Sequence, residues 1–188
     1  MTVALGVFTT LLAATGVLRL GELWVSVRRQ RARPDAVVAE GGLFVAMAAL
    51  HAALVALPLA EVLLAGRAFD PRAAGISTLL LLCATALRVW TLSSIGRSWN
   101  VRVVTPEADA IATSGPYAWI RHPNYLCVIL EIFALPLFHS AFASVILLSG
   151  WNAAVLWVRI RNEEAVLTQL PAWRAAFADR ARLVPGLW

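Results

Sequence analysis

The chain has 188 residues, of which 60% are hydrophobic and 14% charged, and its formal net charge is +5. A soluble domain carries about 25% charged residues, so this composition excludes an ordinary soluble fold. The basic residues are all arginine and stand between long apolar runs instead of along one polar face, which argues against nucleic-acid binding. Such a distribution is typical of loops that flank membrane spans.

Five apolar runs predict five transmembrane helices, because a helix needs about 20 apolar residues to cross a bilayer. In chain order they cover 2–27, 43–64, 73–95, 124–137 and 141–158. The first run has no basic stretch before it and no clear cleavage site, so we expect a retained span and not a signal peptide. The fourth is only about 21 Å long at 1.5 Å per residue, and with the fifth it predicts a tight helical hairpin.

The predicted fold is therefore an all-α integral membrane helix bundle. Residues 1–95 would hold spans one to three, and residues 96–188 would hold a polar loop, the hairpin and an amphipathic C-terminal helix. An external N-terminus places most of the arginines in the loops 28–42 and 96–123 and in the tail, on the cytosolic side. The positive-inside rule favours this orientation, with a cytosolic C-terminus and a bacterial inner membrane as the expected location.

Charged residues also occur inside the predicted spans, where they are costly and often functional. Arg19 and Glu22 stand three residues apart and could pair or extend toward the headgroups. Glu131 lies in the middle of the fourth span. It is a functional candidate, and a structural pairing with Arg88 or Asn152 is an equal alternative.

A first polar cluster covers residues 115–125. Pro123 disfavours helical geometry at His122 and can itself begin the next helix, so His122 would lie beside free backbone N–H groups that suit an anion. Arg121 adds a positive charge to this position. Flat apolar surface comes from Tyr117, Trp119 and Tyr125. The alternative reading is an interfacial aromatic belt at the start of a helix.

A second polar cluster follows the fifth span. On a helix, Arg159 and Glu163 would share one face at a spacing of four residues, and Arg161 and Glu164 a neighbouring face at a spacing of three. The alternative reading is a pair of salt bridges that only end a membrane span. No Cys/His cluster has metal-ligand spacing, and we predict no metal site.

These two clusters, separated by a short apolar hairpin, resemble the isoprenylcysteine carboxyl methyltransferase family over roughly residues 88–185. The resembling motifs are Arg121-His122-Pro123-x-Tyr125 and Arg159-x-x-x-Glu163-Glu164. Two tyrosines are usual after the glutamate pair, and Trp173 and Phe177 stand in their places here. The loss of both hydroxyls puts a polar role for those positions in doubt.

Within this family, the chain is similar to a bacterial branch found with type III polyketide synthases, whose members are thought to O-methylate long-chain alkylpyrones or alkylresorcinols. The similarity is carried by short motifs spread along the chain. They are Arg19-x-x-Glu22, Arg28-Arg29, Arg97-x-Trp99-x-x-Arg102, Asn124-Tyr125, Glu131 and Pro136-Leu137.

The resemblance implies S-adenosylmethionine as cofactor, enclosed by the hairpin, the loop before it and the C-terminal helix. It implies that His122 and Tyr125 hold the cofactor and that Gly115 and Pro116 shape the loop around it. The other cofactor-binding candidates are Tyr117, Arg121 and Glu163. It further implies that Arg159 and Glu164 line the reaction centre.

The chemistry of these residues suits methyl transfer to a lipophilic acceptor whose apolar tail enters from the lipid. Arg159 could hold a carboxylate acceptor, and Glu164 could act as the base for a phenol. The acceptor stays open between a carboxylate, a phenol and a hydroxypyrone, and so does the oligomeric state. Two alternatives stand beside this hypothesis: a membrane reductase that uses a nicotinamide cofactor, and a non-enzymatic membrane binding or resistance protein.

Overall fold

The computed structural model describes residues 3–31, 43–96 and 111–186. Within these ranges the named elements of secondary structure are six α-helices and one short 3-10 helix, Gly115–Ala118. The α-helices are α1 (Val3–Arg31), α2 (Leu43–Leu64), α3 (Pro71–Ile95), α4 (Pro123–Leu137), α5 (Phe142–Leu167) and α6 (Pro171–Phe177). The prediction of an all-α membrane bundle is confirmed.

Four of these helices, α1, α2, α3 and α5, are long and apolar enough to cross a membrane. The fourth predicted span is α4, an apolar helix of 15 residues, in keeping with its short predicted length. The largest difference concerns the fifth span, since α5 continues to Leu167 instead of ending at residue 158. Arg159 and Glu164 therefore lie on the membrane helix itself. The Arg97-x-Trp99-x-x-Arg102 motif lies outside the described residues.

The α4–α5 hairpin occupies the centre of the bundle, with α3 packed on α4 and with α2 packed on α5 and on α1. A buried hydroxyl strengthens the first contact, because Ser77 Oγ donates 2.7 Å to the carbonyl oxygen of Ala134. The apolar core is built from the inward faces of four helices. Its members include Phe8, Leu12, Leu50, Leu54, Ile132, Leu135 and Leu148. Lipid is as apolar as these side chains, so close packing, not exclusion from water, holds the faces together.

Local signals fix where the helices begin. The Asp70 side chain accepts from the backbone N–H of Arg72 and caps α3, with Pro71 in the first position. No side chain of the α4–α5 turn caps α5, and Glu61 of α2 does so instead. Its carboxylate accepts from the backbone N–H of Ala143 at 3.1 Å and of Ser144 at 2.7 Å. A negative charge at the positive end of the α5 dipole stabilises the helix.

The residues after α6 return to the start of α4. Ile120 and Ala181 form an isolated parallel β-bridge, and the backbone N–H of His122 donates 3.0 Å to the carbonyl oxygen of Arg182. We call this end of the bundle, where α4 begins and α5 finishes, the tail end. The predicted juxtaposition of the hairpin, the preceding segment and the C-terminal helix is present there.

Candidate active site

His122 stands immediately before α4 with φ −127° and ψ 58°, outside helical geometry, as the following proline predicts. Its ring is buried at the tail end. Nε2 lies 3.1 Å from Oε1 of Glu164, and Nδ1 lies 3.9 Å from Oε2 of Glu163. The predicted position of His122 at a helix start is confirmed, and both glutamates of the second cluster reach its ring.

Glu164 is the centre of an ionic cluster that joins three segments of the chain. Besides His122, its carboxylate accepts from Arg121 Nη1 at 3.2 Å and from Arg182 Nε at 2.9 Å. The predicted alternative of an Arg161–Glu164 helix pair is wrong. The Arg161 guanidinium instead lies 4.3 Å from the centre of the Trp157 ring on the outer face of α5.

The Tyr125 hydroxyl connects the remaining residues of the second cluster. It accepts a hydrogen bond of 2.7 Å from Arg159 Nε and donates one to Glu163. The Tyr125 ring stacks on His122, with ring centres 5.3 Å apart. Arg159 is only 3% exposed and also contacts the sulfur of Met47 on α2. The predicted proximity of Arg159 and Glu163 thus takes the form of a shared tyrosine partner.

The tail is held over this cluster by Arg121. Its Nε donates 2.7 Å to the carbonyl oxygen of Arg180, and its Nη2 donates 2.9 Å to that of Ala178. The guanidinium lies 5.6 Å from the centre of the Trp173 ring. A cation–π contact of this kind needs an aromatic face and no hydroxyl, so Trp173 can support the arginine where the family usually has tyrosine.

An aromatic cluster closes the outer side of the tail end. Trp173 and Phe177 stack at 5.1 Å and pack with Tyr117, which follows the buried Pro116. Burial raises the pKa of the Tyr117 hydroxyl above its ordinary value, and this keeps it neutral. Trp119 is 68% exposed, so the interfacial-belt interpretation suits this residue and not the two buried tyrosines.

Gly115 has a structural requirement for glycine. Its φ of +61° lies in the left-handed region, and a Cβ there would collide with the Ser94 side chain and lie 3.0 Å from Trp90 Nε1. The absence of a side chain therefore allows the 3-10 turn to pack directly on the end of α3. This is a packing role for Gly115, and it positions the loop that leads to His122.

A cavity of about 340 Å³ lies inside the bundle, directly below the Tyr125–Arg159 pair. Its walls come from α1, α2, α4 and α5, with one residue from α3, and most of the lining is apolar. Apolar lining residues include Leu20, Leu23, Phe44, Leu50, Val55, Val128, Val155 and Leu156. Polar lining residues are Arg19, Glu22, His51, Arg88, Asn124, Tyr125, Asn152 and Arg159. The size and character of this space suit a lipophilic molecule with a polar group.

Four charged residues form an intramembrane network on one side of this cavity. Glu131 accepts from Arg88 Nη2 at 2.9 Å and from Arg19, and Glu22 accepts from Arg88 Nη1 at 2.8 Å and from Arg19. We call these residues the ionic quartet. Of the alternatives that the sequence left open, Arg19 pairs with Glu22, and Glu131 pairs with Arg88. Two positive and two negative charges balance inside the apolar bundle.

Several residues of this region were not singled out from the sequence. Arg182 pairs with Glu164 from the far end of the chain, and Met47 and His51 reach the cavity from α2. For His51 a signal was available, because an ionisable residue inside a membrane span is a functional candidate. For Arg182 and Met47 the partners are apparent only once the helices are packed.

Comparison with known proteins gives a family and three relatives. Residues 77–169 match the isoprenylcysteine carboxyl methyltransferase (ICMT) family, a stretch that begins in α3 and ends just after α5. The uncharacterized protein YpbQ of Bacillus subtilis is 38% identical over 111 residues, which are 59% of this chain and 66% of that protein.

Two further relatives are more distant. The cobalt-zinc-cadmium resistance protein CzcN of Cupriavidus metallidurans is 31% identical over 110 residues, which are 58% of this chain and 49% of that protein. An uncharacterized protein of Haemophilus influenzae is 28% identical over 96 residues, which are 50% of this chain and 56% of that protein. The similarity thus spans between about half and two thirds of the relatives' own length.

Proposed function

We propose that this chain, whose residues 77–169 match the ICMT family, is a membrane-embedded S-adenosylmethionine-dependent O-methyltransferase that acts on a lipophilic acceptor. One observation carries the proposal. An apolar cavity inside the bundle ends at Tyr125 and Arg159, and the buried His122–Glu164 cluster lies directly behind this pair at the tail end. An acceptor within the cavity would therefore present its polar group next to the residues that match the family's motifs.

The residues at the tail end fit the cofactor by their chemistry. S-Adenosylmethionine has a carboxylate, an ammonium group and a positive sulfonium, and bound here it would supply an activated methyl group. Among the described residues, Asn124 Oδ1 is buried without a hydrogen-bond partner, and a polar ligand would satisfy it. Glu163 offers a carboxylate whose side chain is 22% exposed and could lie opposite a positive group of the cofactor.

We assign the holding of the cofactor to the first cluster together with Glu163. His122 and Tyr125 are stacked and buried, so their positions are set before any ligand binds. Arg121 fixes the tail over them. Gly115, Pro116 and Tyr117 shape the segment that packs on α3 and α6. Pre-organisation of this kind lowers the conformational cost of binding.

We assign to Arg159 the contact with the acceptor's polar group. It lines the cavity, is nearly fully buried and has its orientation fixed by the Tyr125 hydroxyl and Met47. A guanidinium in this position can bind a carboxylate or stabilise a phenolate as charge develops on its oxygen. The proposal admits a prenylcysteine-like carboxylate as well as the hydroxyl of an alkylpyrone or alkylresorcinol, and the largely apolar cavity suits either tail.

For Glu164 the contacts favour a holding role over proton transfer. Its two oxygens already accept from Arg121, His122 and Arg182. Glu164 is not among the described residues that line the cavity. A carboxylate engaged by three donors has little capacity to take a proton from an acceptor. We therefore assign Glu164 to fixing His122 and the tail around the cofactor.

The test is methyl transfer by the full chain in detergent micelles or nanodiscs. Labelled S-adenosylmethionine is supplied with an alkylresorcinol, an alkylpyrone and a farnesylated cysteine derivative, and labelled lipid products are identified by mass spectrometry. We expect label in one of these acceptor classes. The proposal is overturned if the protein binds S-adenosylmethionine but transfers no label to any lipid extracted from cells that contain the gene.

A second candidate function has one observation in its favour, which is the name of a relative. CzcN is called a cobalt-zinc-cadmium resistance protein, and a membrane resistance function for this chain would follow if that role were shared. Growth of a gene deletion strain on graded cobalt, zinc and cadmium separates this candidate from the enzyme. Calorimetry with a nicotinamide dinucleotide tests the remaining alternative of a membrane reductase.

A further inference from the structure

The cavity has a second polar layer below the Tyr125–Arg159 pair. Met47 contacts Arg159, and His51 follows it on α2 one helical turn later, which places His51 about 6 Å deeper along the helix axis. Both residues line the cavity. A ligand whose polar group reaches Arg159 can therefore also meet the imidazole of His51.

The hydrogen bonding of His51 fixes which ring nitrogen faces a ligand. Nδ1 lies 2.8 Å from the backbone carbonyl oxygen of Met47. A carbonyl oxygen only accepts, so Nδ1 carries the proton in the neutral ring, and Nε2 keeps a lone pair. The ring lines the cavity, and Nε2 is thus the nitrogen that a bound hydroxyl group would meet.

The ion pairs around His51 do not use its Nε2. The groups that share the cavity with it are Arg19 and Glu22 from α1, Arg88 from α3, Asn124 and Tyr125 from α4, and Asn152 and Arg159 from α5. Glu131 from α4 completes the ionic quartet, in which two arginines and two glutamates neutralise one another. Protonation of a quartet glutamate would break ion pairs, whereas protonation of His51 Nε2 breaks none of these.

We infer that His51 recognises the hydroxyl group of a lipophilic acceptor in the cavity and accepts its proton during methyl transfer. The inference rests on the proposed function. In the step, the O–H bond of the acceptor breaks and an Nε2–H bond forms, and the electron pair left on oxygen makes the bond to the methyl carbon supplied by S-adenosylmethionine. The methyl–sulfur bond breaks with its electron pair on sulfur, and the imidazolium returns its proton to solvent after product release.

This assignment selects one acceptor class among those that the cavity admits. A phenol carries a proton that His51 can receive. A carboxylate or an ionised hydroxypyrone arrives without a proton and has no use for a base. The assignment therefore favours a phenolic ring with an alkyl tail over a prenylcysteine-like carboxylate.

The test separates binding from transfer. Binding of pentadecylresorcinol, of its dimethyl ether and of palmitic acid is measured by calorimetry in micelles without cofactor, for the parent protein and for His51→Phe and His51→Gln. We expect the parent to bind the resorcinol more tightly than the ether. His51→Phe should weaken resorcinol binding about 5- to 10-fold, the usual effect of one hydrogen bond, and leave ether binding within twofold.

Single-turnover methylation of the resorcinol adds the second readout. Glutamine at position 51 can accept a hydrogen bond but takes up no proton, so His51→Gln should retain most of the binding and lose about 100-fold in rate. The matched control is His139→Gln, which alters a buried histidine that packs against Phe8 and Phe69 and does not line the cavity among the described residues. It should change neither readout.

Equal losses of resorcinol and ether binding in His51→Phe, or a full methylation rate in His51→Gln, would overturn the inference. Tighter binding of palmitic acid than of the resorcinol would do the same. If the parent transfers no methyl group to any acceptor but binds the resorcinol through His51, the proposed function fails while hydroxyl recognition by His51 is supported.

Discussion

Arg159 Nε donates a hydrogen bond of 2.7 Å to the hydroxyl of Tyr125, and this contact joins the second half of α5 to the first turn of α4. The same hydroxyl donates to Glu163. One phenolic oxygen thus positions the cation that lines the cavity and the carboxylate on the cofactor side. The two proposed binding regions share this oxygen.

Removal of the Tyr125 hydroxyl should disturb both regions at once. Tyr125→Phe keeps the stacked ring but removes the hydroxyl that accepts from Arg159 Nε and donates to Glu163, which costs about 1–3 kcal/mol. We expect turnover to fall by at least 10-fold and S-adenosylmethionine to bind several-fold more weakly. Labelled methyl transfer and cofactor titration measure the two effects. Trp151→Phe, on the exposed face of α5, serves as control and should retain parental values. Parental turnover in Tyr125→Phe would remove the hydroxyl from the mechanism.

The ionic cluster around Glu164 should hold the tail in place. Glu164→Gln weakens the contacts to Arg121, Arg182 and the buried His122 and should cost about 1–3 kcal/mol, because these donors then face a neutral group. Hydrogen exchange at residues 171–186 should become faster, and cofactor affinity should fall. Arg161→Gln lies one turn earlier on the same helix, outside the cluster, and should leave exchange unchanged. If hydrogen exchange in Glu164→Gln stays as slow as in the parent protein, the tail is held by its aromatic contacts alone.

The ionic quartet should behave as a coupled unit in a double-mutant cycle. Glu131→Gln leaves two arginines facing the single carboxylate of Glu22 inside the bundle, which should cost about 3 kcal/mol in the free energy of unfolding. Arg88→Gln combined with Glu131→Gln restores neutrality, so the double variant should be more stable than the sum of the single effects by about 1–3 kcal/mol. Denaturant unfolding in detergent measures this difference. Strict additivity would contradict the network.

The cap that α2 provides for α5 gives a prediction at the opposite end of the bundle. Glu61→Ala removes the acceptor of two backbone N–H groups and should lower stability by about 1 kcal/mol. Its effect should appear as a lower Tm in micelles with unchanged cofactor affinity. Arg67→Ala removes only the partly exposed partner of Glu61, and we expect a smaller change. A larger loss in Arg67→Ala than in Glu61→Ala would contradict the cap.

Orientation in the membrane follows from the arginine distribution, and it too is a prediction. The C-terminus should face the cytosol, since the arginine-rich segments then lie on that side. A periplasm-active phosphatase fused after residue 188 should be inactive, while the same reporter placed after Phe69, between α2 and α3, should be active. Phosphatase activity at the C-terminal fusion would show the opposite orientation, with the proposed cofactor site outside the cytosol.

The sequence alone determined the parts of this protein that depend on local order. Apolar run length predicted α1 to α5, and Pro123 predicted the start of α4 with His122 just outside it. Helical spacing allowed the Arg19–Glu22 pair that the structure contains. These features rest on backbone geometry and on residues within a few positions of each other, which the sequence states directly.

The tertiary structure decided which distant residues meet. Helical spacing suggested Arg161 as the partner of Glu164, yet the partners are Arg121, His122 and Arg182, because the rotation of α5 turns Glu164 toward the start of α4 and the returning tail. The cavity arises in the same way, where α1 and α2 complete a wall that the family-like half of the chain leaves open. Such contacts depend on how packed helices are rotated and how far they are inserted, and local propensity does not encode either quantity.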